Sequence, residues 1–337
     1  NLGIFVDVYI DKKIKKIDKS RTIGISKSNV DFFNKHILNI EKLIWDIDKI
    51  EIYSCNLKNE RVLNFESDKK QLFSIVRNFE LYNLIFKNLK KNNFFNLKRN
   101  VGFEKLLKKD YKIIINCDPK NILSKKFFYK KINKNYNSHA HTAIIHHKKF
   151  INNNTATQIF TNLGPLAFLP ISEKETSVVY SVRNLRDINL KKIINKFNSG
   201  YSITKINDIS KFELKSSSLR NYKYKNILAF GDLLHRLHPL AGQGFNMTLR
   251  DVRFLSELFK FRLDHGLEID SSICVNFEKK MRHKNYLFSN GIDLIYESFN
   301  FENKFKNSMI SRSAQFLGKN KYINNFFKNF ANTGINI

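Results

Sequence analysis

The residues best placed to do chemistry lie between Asn226 and Arg253. There, Gly231-Asp232 sets a carboxylate directly after the apolar run Ile227-Leu228-Ala229-Phe230, and Gly242-Gln243-Gly244 and Asn246 follow. Such a run suits a buried parallel strand, and an acid at its carboxyl end stands where open α/β sheets hold their ligands. Through His238-Pro239-Leu240-Ala241 the proline rules out a continuous helix, while the glycines at 242 and 244 permit close approach to the backbone. From Phe245 the pattern becomes helical, with Met247, Val252, Leu255, Leu258 and Phe259 recurring on one side. The free amides of a helix starting there would point back at the loop, making a site for an electron-rich or anionic group.

Several other segments would have to position that site. Ile4 to Ile10 is strand-like. Val30 to Ile44 reads as a helix, with Phe33, Ile37, Ile40 and Ile44 on one side. Ile47 to Phe65 alternates loosely, as antiparallel strands do, and Tyr111 to Asp118 is a buried-strand pattern ending in an acid. In Phe160 to Val182, Pro165 and Pro170 bracket a short apolar strand that reads both as a pocket wall and as the edge of an antiparallel sheet. Leu185 to Leu219 reads as a helix and connector, and Phe277 to Phe301 as a long amphipathic helix. Phe316 to Phe330 is basic and aromatic, which suits a membrane surface, a partner groove or a packed terminal helix. His139, His141, His146 and His147 lack a companion ligand set, so no metal is expected.

Composition narrows the classes. The chain has 337 residues, 42% of them hydrophobic, with 31 Phe, enough for a substantial core. Its formal net charge is +29, yet the lysines are spread among Asn and Ile along the whole length rather than gathered in one basic arm. That argues against nucleic-acid binding and for a general attraction to anionic membrane surfaces. The 3 cysteines are far apart and fit neither a disulfide framework nor a metal motif, which points to a reducing, cytoplasmic setting. No apolar run approaches the roughly 20 residues that span a bilayer.

The run Gly231-Asp232, His235, His238-Pro239, Gly242-Gln243-Gly244, Asn246, Arg250-Asp251 resembles the second flavin-binding motif of the FAD-dependent aromatic hydroxylases. Within them it is most similar to the 2-polyprenyl-phenol hydroxylases of ubiquinone biosynthesis. The resemblance implies a flavin-dependent monooxygenase that uses FAD, NAD(P)H as electron donor and O2 to hydroxylate a polyprenylated phenol. It also implies membership of a ubiquinone-biosynthesis complex and peripheral contact with the inner face of the cytoplasmic membrane. Cofactor contacts carry over to Asp11 (adenosine ribose), Arg21 (phosphate or flavin side), Asp118, Asp232 (ribityl or ribose hydroxyls), the loop Pro239, Gly242, Gln243 and Gly244 against the ring, and Asn246. No side chain is assigned as catalytic. Asp118-Pro119 departs from the family's Asp-Gly, and since proline donates no amide hydrogen bond, nicotinamide handling is weakened there.

The implied fold is α/β, with a parallel Rossmann-like FAD-binding sheet, an interleaved antiparallel substrate sheet and C-terminal helices. The sheet is expected to be incomplete at its N-terminus, because no GxGxxG unit precedes the Ile4–Ile10 strand. The expected divisions are 1–45, 75–125 and 220–265 for FAD, 46–74 and 126–219 for substrate, and 266–337 for the helical region. Two other readings stay open: a hydroxylase of another aromatic substrate, and a truncated, non-catalytic homologue acting as an assembly partner.

Overall fold

In the computed structural model, the residues described are 2–10, 18–58, 60–67, 71–99, 107, 109–183, 188–198, 200–237, 242–305 and 308–333. The chain runs β1 (Val6–Ile10), β2 (Thr22–Ser26), α1 (Lys27–His36), β3 (Ile44–Ile47), β4 (Lys49–Ser54), β5 (Glu60–Glu66) and β6 (Phe73–Arg77). Next come α2 (Asn78–Leu89), β7 (Phe95–Arg99), β8 (Ile114–Asn116), α3 (Ile122–Phe127), β9 (Lys131–His147), β10 (Thr155–Thr161), β11 (Gly164–Pro170) and β12 (Glu175–Arg183). After them stand α4 (Leu190–Phe197), β13 (Ile203–Leu219), β14 (Lys223–Tyr224), β15 (Ile227–Ala229) and β16 (His235–Arg236). Four helices close the chain: α5 (Gln243–Asp264), α6 (Ser272–Phe305), α7 (Met309–Lys319) and α8 (Lys321–Thr333).

Two parallel strand pairs, β1 with β7 and β8 with β15, accompany a large sheet ordered β16-β13-β9-β12-β11-β10-β4-β5. That sheet is antiparallel except where β10 runs parallel to β4. Both of its faces are covered, which is why its central strands read as nearly continuous runs of apolar and small residues. On one face Ala143, Ile145, Val178 and Tyr180 pack with Leu190 and Ile194 of α4. On the other, Tyr136 and Phe160 meet Phe288, Ile292, Tyr296 and Phe299 of α6, and the Phe160 and Phe299 rings stack with centroids 3.7 Å apart. A third layer, β2-β6-β3, packs its Ile25 and Val76 against α1, α2 and Leu249 of α5.

Three expectations are corrected. The helix expected over Val30–Ile44 ends at His36, and Ile44 opens β3. The Asn34 side chain accepts from the Ile40 amide and Asn39 from that of Glu41, so local side-chain bonds draw the backbone out of the helix. The stretch Leu185–Leu219 holds only a short helix, α4, followed by the 17-residue strand β13 along β9. Register shifts in that pairing, with Asp208 at φ 50, break the period-2 pattern and hide the strand from a periodicity reading. The proline-bracketed strand β11 is internal rather than an edge. Its ladder with β10 covers Gly164–Phe168 and its ladder with β12 covers Leu166–Pro170, so each proline falls where the opposite ladder has stopped.

Gly164 opens β11 at φ +137, and a Cβ there would stand 2.1 Å from the Ser181 carbonyl oxygen. Both the backbone strain and the clash predict that Gly164→Ala destabilises the fold by about 2–4 kcal/mol, measurable by urea unfolding. A variant as stable as the parent would show that the β11–β12 approach is looser than this geometry.

Candidate functional site

β8 and β15 pair in parallel with Ile227, Leu228 and Ala229 fully buried, and the Phe230 amide continues the ladder to the Asn116 carbonyl at 2.9 Å. Each strand therefore ends at the same rim, with Cys117-Asp118 after one and Gly231-Asp232 after the other. Although Cys117 keeps an exposed surface, desolvation of its thiol by the surrounding protein raises it to about 11, with the Asp232 and then the Asp118 carboxylates adding to the shift. Both acids thus lie within electrostatic reach of one sulfur, at the carboxyl end of the parallel pair. Asp118 is already engaged: its carboxylate accepts from the Lys120 amide at 2.8 Å and closes the turn that Pro119 begins. Asp232 stands exposed in the short 3-10 turn Gly231–Leu233.

The second group gathers where α5 begins. Gly242 forms the N-cap in the left-handed conformation, φ +62, with no side-chain cap and no acid in the first turn. A Cβ at Gly242 would lie 3.5 Å from the Gly24 nitrogen and 3.7 Å from its Cα, so the two backbones pass in contact. Asn246, 1% exposed, fastens that crossing. Its Oδ1 accepts from the Ser26 amide at 2.8 Å and from Asn29 Nδ2 at 2.9 Å, and its Nδ2 donates to the Gly24 carbonyl at 2.9 Å and that of Gly242 at 3.2 Å. Gln243 is 3% exposed and its Oε1 has no hydrogen-bond partner among the described residues. The start of a 22-residue helix therefore presents uncapped amides beside an unsatisfied buried oxygen. Gly244 leaves the adjoining surface free of side-chain bulk.

Arg21 lies three residues before Gly24, with its guanidinium 5.2 Å from the Phe212 ring centroid. Asp11 and Pro239 lie outside the described residues. Arg21, Gly242, Gln243, Gly244 and Asn246 thus share the neighbourhood of β2, whereas Asp118 and Asp232 share the strand rim. Among the described residues no hydrogen bond or ion pair joins the two groups directly.

The polypeptide between them is pinned by residues that had not been singled out for a role. His235 Nε2 meets Asp251 Oδ2 at 2.5 Å, and Asn285 Nδ2 donates to Asp251 Oδ1 at 3.0 Å, all three deeply buried. Backbone pairing of His235 and Arg236 with Ser218 and Ser217 holds the same segment to β13. A signal was present: Met247, Asp251 and Leu255 form an i, i+4, i+8 stripe, and an acid on a buried stripe requires a partner. Next to it, burial lowers Arg250 to about 10, and its guanidinium sits 4.0 Å from the Phe288 ring centroid. The β9 histidines are drawn into separate contacts, His147 with Thr176 at 3.1 Å and His146 with Glu175 at 3.3 Å. Among the described residues no cluster of three or more His, Cys, Asp or Glu could hold a metal.

Residues 186–263, from α4 through most of α5, match the family described as FAD binding domain. The mitochondrial ubiquinone biosynthesis monooxygenase COQ6 of Danio rerio is 24% identical over 229 residues, covering 55% of this chain and 47% of that protein. The 3-demethoxyubiquinol 3-hydroxylase of Escherichia coli is 28% identical over 152 residues, covering 42% and 39%. The chain is thus similar to FAD-dependent aromatic hydroxylases, those of ubiquinone biosynthesis among them. It spans about half the length of the curated relatives it matches. Its fold is that of flavin-dependent monooxygenases. The p-nitrophenol 4-monooxygenase PnpA of Pseudomonas putida superposes with a TM-score of 0.73 at 11% identity, over 98% of this chain and 92% of that one. Klebsiella pneumoniae HpxO complexed with FAD and uric acid gives 0.65 at 10% identity, over 96% and 90%.

FAD is the cofactor of this family, and the described residues fit such a group. The Gly242–Gly24 crossing leaves backbone rather than side chains to face a flat ring, and the orphaned Gln243 Oε1 can accept from a ring N–H. Asn246→Ala would leave the Ser26 amide and the Gly24 carbonyl unpaired in a buried place, at a cost of about 2–4 kcal/mol in urea unfolding. The exposed Asp232→Ala should stay within about 0.5 kcal/mol of the parent. Equal stability of Asn246→Ala and parent would remove Asn246 from its pinning role.

Proposed function

We propose that this chain acts as an FAD-dependent monooxygenase that hydroxylates a polyprenylated phenol in ubiquinone biosynthesis, with NAD(P)H and O2 as co-substrates. One observation carries the reading: an uncapped helix start whose first residues, Gly242 to Gly244, lie against Gly24 while Gln243 Oε1 awaits a donor. In this reading residues 1–45, 75–125 and 220–265 form the FAD-binding part, 46–74 and 126–219 the substrate part, and 266–337 a helical region.

Bound FAD supplies the redox chemistry that takes electrons from the nicotinamide and passes oxygen to the phenol. The protein's share is positioning and charge. Amides at the start of α5, whose direction Asn246 fixes, would be available to an electron-rich edge of the ring without reorganisation. Asp232, exposed at the strand rim, accepts hydrogen bonds from cofactor hydroxyls. Arg21 would serve the phosphate or flavin side, and Asp11, outside the described residues, is assigned to the adenosine ribose by the resemblance alone. Asp118, held by its own turn, serves the rim through its backbone rather than through a free carboxylate. A phenol that enters already electron-rich needs no side-chain base, and none is assigned.

The substrate side is supported by the sheet. Cross-strand pairing aligns Ile52, Gln158, Ala167, Val179 and Thr142 in one row, on the face where Ile52 packs with Tyr136 and Phe160 against α6. Apart from Gln158 the side chains of that row are small or apolar, and would make a floor for a flat ring and the start of a polyprenyl chain. The ubiquinone assignment, and membership of a complex, rest on the curated relatives.

The C-terminal helices support peripheral membrane contact. Met309, Phe316 and Tyr322 are 68%, 78% and 87% exposed, and Arg312, Lys319 and Lys321 stand on the same helices. Among the described residues no helix is long and apolar enough to cross a membrane. Aromatic side chains among lysines suit the surface of an anionic bilayer, where a polyprenylated substrate resides. A cytoplasmic location on its inner face belongs to the same reading, and the low cysteine count of 3 accords with it.

Titration with FAD, followed by the visible spectrum and quenching of flavin fluorescence, should show saturable binding to the purified chain, weakened at least tenfold by Asp232→Ala. Absence of binding by the parent would overturn the cofactor site. Phosphatidylglycerol vesicles should sediment the chain, and Phe316→Ser with Tyr322→Ser should release most of it. Equal sedimentation of variant and parent would move the contact elsewhere.

A further inference from the structure

A cavity of about 370 Å3 opens where β9, β13 and β16 meet. Its lining is Lys131, Lys134, Lys215 and Arg236, with Ser216, Ser217 and two asparagines. No carboxylate and no apolar side chain contributes to that lining. Two of the cations are braced from outside it, Lys134 by Asp293 at 2.6 Å and Lys215 by Glu213 at 2.8 Å. Lys131 and Arg236 have no carboxylate within ion-pair distance among the described residues. Ammonium and guanidinium groups only donate, and the hydroxyls and amides beside them can also donate, so the matching ligand is rich in acceptors and multiply charged. A planar guanidinium beside point-charge lysines meets that description with a phosphate.

We propose that this cavity is a phosphate-binding subsite for the phosphate or pyrophosphate group of a small molecule. Its place in the chain gives it a role. Arg236 lies on β16, and the neighbouring His235 is locked onto Asp251 of α5. An anion gripped by Arg236 therefore sits beside the strand that is tied to α5. The molecule is the nicotinamide dinucleotide donor, and only this last assignment rests on the monooxygenase reading. A phospholipid headgroup is the other source of the same chemistry.

The test is calorimetric titration of the full chain with inorganic pyrophosphate at constant ionic strength. The parent should bind one equivalent. Lys131→Gln with Arg236→Gln should weaken binding at least tenfold, while Lys319→Gln with Lys321→Gln, which removes the same charge from the α7–α8 junction, should leave it unchanged. If Arg236→Gln disturbs folding, Lys131→Gln with Lys215→Gln makes the same comparison. Equal weakening by the cavity and junction pairs, or no binding by the parent, overturns the subsite. NADPH should displace the pyrophosphate and phosphatidylglycerol vesicles should not; the reverse result overturns the assignment to the donor. The pyrophosphate arm needs no flavin, so a chain that binds pyrophosphate but not FAD would overturn the cofactor reading and leave the subsite standing.

Discussion

The arrangement depends on one close contact between two stretches of backbone. A Cβ at Gly242 would rest in van der Waals contact with the Gly24 backbone, 3.5 Å from its nitrogen, and the φ of +62 is what favours glycine at the crossing. An amide group is the economical fastener for such a crossing, because it can donate and accept at once. Asn246 does both, satisfying an N–H and a carbonyl of β2 together with the carbonyl of its own helix cap. Were the crossing looser, the first turn of α5 would have no fixed direction, and the field of its free amides would have no fixed target.

A second constraint follows from the chain's charge. With 59 Lys and Arg against 30 Asp and Glu, carboxylates are the scarcer resource, and several of them are buried as internal fasteners. Asp251 ties β16 to α5 and α6 through His235 and Asn285. Asp293, 5% exposed, joins α6 to Lys134 and Tyr136 of β9 and helps burial push the Tyr136 phenol up. Glu302, 1% exposed, accepts from the Ser311 amide and hydroxyl and so turns α6 into α7. A buried carboxylate is tolerated only when such donors surround it. The positive charge is left on the outer surface, where it is available to anionic partners.

These fasteners act at different places along one route. The large sheet, buried on both faces, fixes β9 and β13; β13 fixes β16; and His235 ties β16 to Asp251 of α5. The large sheet and α5 are therefore joined through packed and hydrogen-bonded elements.

The sequence by itself determined the local pieces around Asp232 and Asn246. An apolar run followed by Gly-Asp, a proline, two glycines and a helical stripe leave few alternatives, because strand, breaker and helix each have local causes. The long helix α6 and the strands β4 and β5 were legible for the same reason. What tertiary structure alone decided was whatever depended on a distant partner. β13 was read as helix and connector because bulges broke its alternation, and only its pairing with β9 makes it a strand. β11 was read as an edge because of its prolines, yet the offset of its two ladders lets it lie inside the sheet. Asp118 and Asp232, far apart in the chain, meet at one rim only because β8 and β15 pair in parallel. Gly24 gave no sign of its role, since a close approach belongs to two segments at once and neither records the other.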